Sequence, residues 1–196
     1  MKHLKKAIFI GLVMTSVAAV SGCVSTIVGA GAAVGVAALE ERPFKVHAED
    51  TSLAAKIRFN LLETGEKYVT SVGVEVFESN ALMTGIVETE EIRAEAVKLA
   101  WQVEGVKNVY NEIQVANSSF ADIAKDSWVT AQLKSKITFD EHVLAINYSI
   151  ETVAGVVYLI GIAQSDAELA KVVAHARNLG YVKRVISHVR VKQATS

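Results

Sequence analysis

The chain has 196 residues, room for one or two domains, and its 20 Lys+Arg against 21 Asp+Glu give a net charge of −1. That balance excludes a nucleic-acid binder that works through overall positive charge. A single cysteine excludes an intrachain disulfide, and one proline with 7% aromatics suits a compact α/β protein rather than a disordered one.

Lys2, Lys5 and Lys6 precede an apolar run from Ala7 to Val20, the pattern of a secretory signal. The run is shorter than the ~20 residues a spanning helix needs. It ends in Val20-Ser21-Gly22-Cys23, which looks like a bacterial lipobox. Ser21 and Gly22 are small enough for a peptidase groove to close around the backbone, and the Cys23 thiol is a nucleophile for a diacylglyceryl group. Residues 1–22 therefore read as a lipoprotein signal peptide and Cys23 as the lipid anchor. Removing the three lysines leaves 17 basic against 21 acidic residues, a net of −4.

Residues 23–49 read as a lipidated flexible tether. Val24 to Leu39 is small, apolar and glycine-rich, which disfavours a well-formed helix. Glu40 to Glu49 turns polar around Pro43 and reads as a linker.

From Asp50 the chain repeats itself at a constant offset of 76, residues 50–115 over 126–191. Asp50 falls on Asp126, Glu75 on Glu151 and Gly85 on Gly161, and the ends match as Val106-Lys107-x-Val109 on Val182-Lys183-x-Val185. Residues 116–125 link the copies and 192–196 form a tail. Units of about 65 residues bury little surface alone, so the two copies are expected to pack on each other.

Each copy opens with a helix, marked by Leu53, Ile57 and Leu61 in the first and by Val129, Leu133 and Ile137 in the second. Two strands follow, Val69 to Phe77 and Ala81 to Val87, matched by Ala145 to Thr152 and Val156 to Ala163. Ser79-Asn80 and Ala154-Gly155 are the expected hairpin turns. Gly85 and Gly161 mark a bulge or a close backbone approach inside the second strand. A second helix begins at Thr89 with Glu90 and Glu91, and in copy two at Ser165, where Glu168 completes a capping box. These helices run to about Gln102 and Asn178, with Gly105 and Gly180 as stops. A last strand alternates Val109, Asn111, Ile113, Val115, matched by Val185, Ser187, Val189, Val191. The order is α-β-β-α-β with helices on one face of a three-stranded sheet.

The lipobox, the tether and the two units resemble the dual BON-domain lipoproteins of Gram-negative bacteria. The family pattern has a glycine in the second strand, here Gly85 and Gly161, and a closing GV-x-x-V. The latter is met by Gly105-Val106-Lys107-Asn108-Val109 and by Gly180-Tyr181-Val182-Lys183-Arg184-Val185, which departs by Tyr181. The opening Asp126-Ser127-Trp128-Val129-Thr130 is similar to that of the second BON domain in the outer-membrane, division-associated members. The resemblance implies an α+β fold of two tandem BON domains, each α-β-β-α-β with helices packed on a three-stranded mixed sheet. It implies a non-enzymatic, periplasm-facing lipoprotein that binds phospholipid and supports envelope integrity. Val24 after Cys23 is not the aspartate that retains lipoproteins in the inner membrane of enteric relatives, which implies outer-membrane residence.

On a helical wheel Trp128 points away from Val129, Leu133 and Ile137, leaving an amphipathic indole exposed, as a headgroup-level contact requires. Lys134 and Lys136 flank it and Lys125 precedes it. Copy one has 6 basic and 11 acidic residues and copy two 7 and 6, so an anionic phospholipid membrane would repel the first and tolerate the second. The expected phospholipid-binding residues are Trp128, Lys134, Lys136 and Lys125. The alternative packs Trp128 between the domains, as Phe59 would on the matching helix.

No metal spacing, phosphate-cradling loop or nucleophile elbow occurs, so no cofactor, metal, nucleic-acid partner or small-molecule substrate is expected. Two further functions fit the same architecture. One is an adaptor for outer-membrane assembly or peptidoglycan-remodelling proteins. The other is an osmotic-stress protein with chaperone-like action.

Overall fold

A computed structural model describes residues 40–116 and 120–193, all within one compact unit, Gly35–Ser196. Cys23 and the signal lie outside the described residues. Copy one comprises α1 (Phe44–Thr64), α2 (Glu66–Ser71), β1 (Val72–Phe77), β2 (Asn80–Val87), α3 (Glu90–Trp101) and β3 (Asn108–Val115). Copy two comprises α4 (Phe120–Thr138), a 3-10 turn (Ala145–Asn147), β4 (Tyr148–Val153), β5 (Val156–Ala163), α5 (Asp166–Arg177) and β6 (Arg184–Val191). Each sheet has its second strand in the middle, antiparallel to the first and parallel to the last. The mixed sheet follows from the connections: a hairpin joins the antiparallel pair, and a crossover helix joins the parallel one.

Both first helices begin earlier than the apolar spacing suggests. α1 starts at Phe44, inside the expected tether, because Pro43 has the fixed φ that a helix entry tolerates. α4 starts at Phe120, inside the expected linker. The segment before α1 is also held down. Arg42 Nη1 donates to Asp50 Oδ2 at 2.9 Å and the guanidinium lies 4.0 Å from the centre of the Phe77 ring, while Glu41 N donates to Asn147 Oδ1 at 2.9 Å. Glu41 thus touches copy two and Arg42 copy one.

Two strand starts also move. Val69 and Thr70 suggest a strand by their branching, but they belong to α2. Residues 145–147 likewise form the 3-10 turn. The first hairpin turn is Glu78-Ser79, one residue before the expected pair, and both residues are left-handed (φ 49° and 65°). Ala154-Gly155 matches it at φ 52° and 78°. Only one of these four is glycine, and a buried carboxylate offsets the strain. Asp50 Oδ2 and Oδ1 accept from Glu78 N and Ser79 N, both at 2.8 Å. Asp126 accepts from Ala154 N at 2.7 Å and Gly155 N at 2.8 Å. The repeated aspartate therefore pins the first helix of each copy to its own hairpin.

Gly85 and Gly161 lie where two backbones meet: a Cβ would stand 2.0 Å from Ser71 O and 2.0 Å from Asn147 O, respectively. Thr89 Oγ1 and Ser165 Oγ cap α3 and α5 by accepting from Ile92 N and Glu168 N. The expected capping box is altered. Glu168 reaches past Ser165 to accept from Gln164 N at 2.7 Å and Leu144 N at 3.0 Å. Nor do Gly105 and Gly180 end the helices, whose caps Gln102 and Asn178 stay right-handed.

Helices cover one face of each sheet and give each copy its own core. The opposite faces meet in a third core of Phe77, Leu82, Val156, Tyr158, Ile160 and Ile162. The layer order is thus helix, sheet, sheet, helix, and every residue of β5 is buried. Polar contacts rim the junction. Gln114 Nε2 donates to Tyr158 Oη at 3.0 Å, and Arg190 binds Glu78 through Nε at 3.2 Å and Nη2 at 2.9 Å. His188 Nε2 lies 2.9 Å from Glu112 Oε1, its ring stacked on Tyr110 at 4.1 Å. Glu112 and His188 are equivalent positions of the repeat, so the copies are related by an approximate two-fold.

Candidate functional site

α4 buries Val129, Leu133 and Ile137, at 0, 0 and 1% exposure, against the copy-two sheet. Trp128 lies on the other side, 54% exposed. Phe59, expected to pack between the domains, is 57% exposed on α1, because α1 sits on an outer layer and the junction is built from strands.

Phe139 is a residue that the sequence reasoning missed, and it is 83% exposed. It follows the last residue of α4, and its N–H still donates to Ser135 O at 3.2 Å, continuing the helical turn. Phe139 stands eleven residues after Trp128, about three helical turns, so both rings emerge on one side roughly 16 Å apart. Lys125 and Lys136, both exposed, repeat the interval three residues before each ring. The signal was present as Lys-x-x-Trp and Lys-x-x-Phe, but a helix ended at Ile137 hides it.

The four expected residues therefore divide. Lys125 stands about one turn before Trp128 and Lys136 about one turn before Phe139, on the side of the helix that the two rings share. Lys134 is exposed on the other flank, near enough to Glu151 to favour its charged form. Burial, followed by repulsion from Glu75, outweighs that attraction and pushes the Glu151 carboxyl up. Ile123, 52% exposed, faces a cleft of about 430 Å³ between the copies that Thr84, Ile86 and Glu151 also line. Tyr181, where the closing motif departs from its pattern, puts its ring 5.5 Å from Lys125 Nζ and 5.8 Å from Lys183 Nζ. It braces the first lysine of the row by a cation–π contact.

In copy two an aspartate gathers two histidines. His175 Nε2 lies 2.7 Å from Asp140 Oδ2, and His142 N donates to Asp140 Oδ1 at 3.0 Å. The His175 contact, then the His142 amide, hold the Asp140 carboxyl below its usual range. Among the described residues no group of three or more His, Cys, Asp or Glu could hold a metal ion, and no helix is long and apolar enough to cross a membrane.

Two tandem helix-on-mixed-sheet units, joined back to back, define a duplicated α+β protein. The chain belongs to the BON-domain family: that domain matches residues 49–117 and again 125–193. It is 39% identical over 148 residues to an uncharacterized protein in the gshII 5′ region of Anaplasma centrale, covering 74% of this chain and 97% of that one. It is 34% identical over 169 residues to the outer membrane lipoprotein DolP of Haemophilus influenzae, covering 84% and 86%. With the osmotically-inducible protein Y of Escherichia coli it shares 28% over 147 residues, covering 74% and 73%.

Proposed function

We propose that this protein is a non-enzymatic outer-membrane lipoprotein facing the periplasm, anchored by acylation of Cys23, that binds anionic phospholipid through α4 and supports envelope integrity. The observation that carries the reading is the doubled Lys-x-x-aromatic row on one exposed helix face. The relative in Haemophilus, named an outer membrane lipoprotein, supports the location. Trp128 and Phe139 would lie at headgroup level, and Lys125 and Lys136 would meet lipid phosphates. Each basic residue near an anionic surface contributes on the order of 1 kcal/mol. Such a contact is weak for a free protein. It becomes intramolecular for one already tethered by acyl chains.

Flotation of residues 40–196 with vesicles of graded anionic content tests this. Flotation should rise with anionic lipid, fall in Trp128→Ala, Phe139→Ala and Lys136→Ala, and survive Lys134→Ala. Equal flotation with neutral vesicles, or a Trp128→Ala/Phe139→Ala variant that floats like the parent, would sink the reading.

A further inference from the structure

α1 is apolar on two faces. The inner one, with Leu53, Ala54, Ile57 and Leu61, closes the copy-one core. The outer one carries Phe44, Ala48, Ala55, Phe59 and Leu62, all exposed, with Phe44 at 84% and Leu62 at 54%. Ala48, Ala55 and Leu62 are seven residues apart, Phe44 precedes Ala48 by four, and Phe59 follows Ala55 by four. That spacing keeps one stripe along about 27 Å of helix, as in a helix–helix seam. The repeat does not demand it: Phe59 and Leu62 correspond to Ser135 and Thr138 on α4.

One flank of the stripe carries Lys45, Glu49, Lys56 and Glu63, all exposed. Their signs alternate, so reading the helix backward inverts every one. A second α1 laid antiparallel, with the two-fold near Leu53, sets Lys45 against Glu63 and Glu49 against Lys56 on both helices. A parallel pairing turns this flank against the opposite one, which carries His47, Thr51 and Arg58, and loses the match. The same operation puts Phe44 opposite Leu62 and Phe59 opposite Ala48, with Thr51 and Ala55 at the centre. Phe59 thus meets a small residue, and with Thr51 and Ala55 at the centre the helices can approach closely there.

We propose that the outer face of α1 is a self-association surface whose occupant is the α1 of a second copy of this chain, packed antiparallel about a two-fold axis. One helix pair is small beside the ~1,600 Å² of a standard stable interface, so the dimer forms only as the chain becomes concentrated. α1 and α4 lie on opposite outer layers. Pairing through α1 leaves the α4 face free, and the lipid reading and the dimer stand or fall separately.

Sedimentation of residues 40–196 without lipid, from micromolar to millimolar concentration, is the test. That segment holds all three cores, and Cys23, the only cysteine of the chain, lies outside it. The mass should climb toward a dimer. Phe59→Glu with Leu62→Glu should stay monomeric at every concentration. Lys56→Glu should move dimerisation to about tenfold higher concentration, and adding Glu49→Lys should bring it back. Ser52→Cys, beside the two-fold, should oxidise to a linked dimer, while Ser135→Cys on α4 should not. These side chains are exposed, so circular dichroism should be unchanged in all of them. A chain monomeric throughout that forms no Ser52→Cys dimer, or a dimer indifferent to Phe59 and Leu62, or no recovery in the charge exchange, overturns the proposal.

Discussion

Replacing Asp126 by alanine tests whether one carboxylate holds a copy together. Asp126 is 7% exposed, and its oxygens accept from Ala154 N at 2.7 Å and Gly155 N at 2.8 Å. Hydrogen bonds to a charged group contribute about 1.5–3 kcal/mol each, so the pair is worth about 3–6 kcal/mol. Water can reach the edge of a turn and recover part of this, which leaves an expected loss of about 3 kcal/mol. Against a typical total of ~5–15 kcal/mol that is a large fraction. Urea unfolding of residues 40–196 should show it as a lower midpoint at unchanged slope. Ala154 sits at φ 52°, so Ala154→Gly should recover part of the loss by removing a left-handed Cβ, worth about 1 kcal/mol. Asp50→Ala should cost at least as much as Asp126→Ala, because Arg42 also loses one of its two carboxylate partners, keeping Glu40. A loss below about 1 kcal/mol for Asp126→Ala would mean that the turn amides are satisfied without the helix, and would refute the reasoning.

Gly161→Ala should abolish cooperative folding of copy two or cost more than about 4 kcal/mol in thermal unfolding, since its Cβ would stand 2.0 Å from a backbone oxygen at φ +153°. Glu151→Gln should raise the melting temperature at pH 7. The Glu151 carboxyl is pushed up by burial and then by Glu75. Its contribution is full below the unfolded-state pKa and is lost as pH rises through the folded one. The advantage of Glu151→Gln should therefore vanish below about pH 4 in a pH series of melts. Tyr158→Phe should cost about 1 kcal/mol in urea unfolding, because it removes the hydroxyl that Gln114 reaches across the junction and leaves the ring packing intact.

Most of the fold was legible because the chain presents its pattern twice. The apolar spacing of Leu53, Ile57 and Leu61 placed a helix, and Val156 to Ala163 is a strand with the expected bounds. What escaped was where local chemistry is ambiguous. Val69 and Thr70 are branched residues that an adjacent helical turn absorbed. The Glu78-Ser79 turn lacks glycine, and its left-handed backbone depends on a carboxylate 28 residues earlier in the chain. Polar composition around Pro43 suggested a linker, yet Arg42 and Glu41 find partners in separate copies, which no local pattern announces. At the candidate site the exposed indole could be derived from three apolar neighbours. Phe139 could not, because seeing it requires knowing that the helical turn continues past Thr138.

The charge difference between the copies changes meaning in the folded chain. From sequence it suggested a bilayer that repels the acidic copy and tolerates the other. In the structure three of the acidic residues of copy one point at copy two. Glu78 binds Arg190, Glu112 meets His188, and Glu75 Oε2 accepts from Ser149 Oγ at 3.3 Å. Beyond the repeat, Glu41 Oε2 takes Lys192 Nζ at 2.9 Å. Part of the asymmetry is therefore complementarity at the junction, where these contacts help fix which sheet face meets which. Net charge per copy then says little about lipid. The case for lipid has to rest on where the charges sit, and Lys125 and Lys136 lie beside two exposed rings on one helix face. Reversing Arg190 to Glu should weaken the junction without changing flotation, whereas reversing Lys136 should do the opposite. If both reversals changed both properties, junction and lipid face would be one electrostatic unit, and separating them here would be wrong.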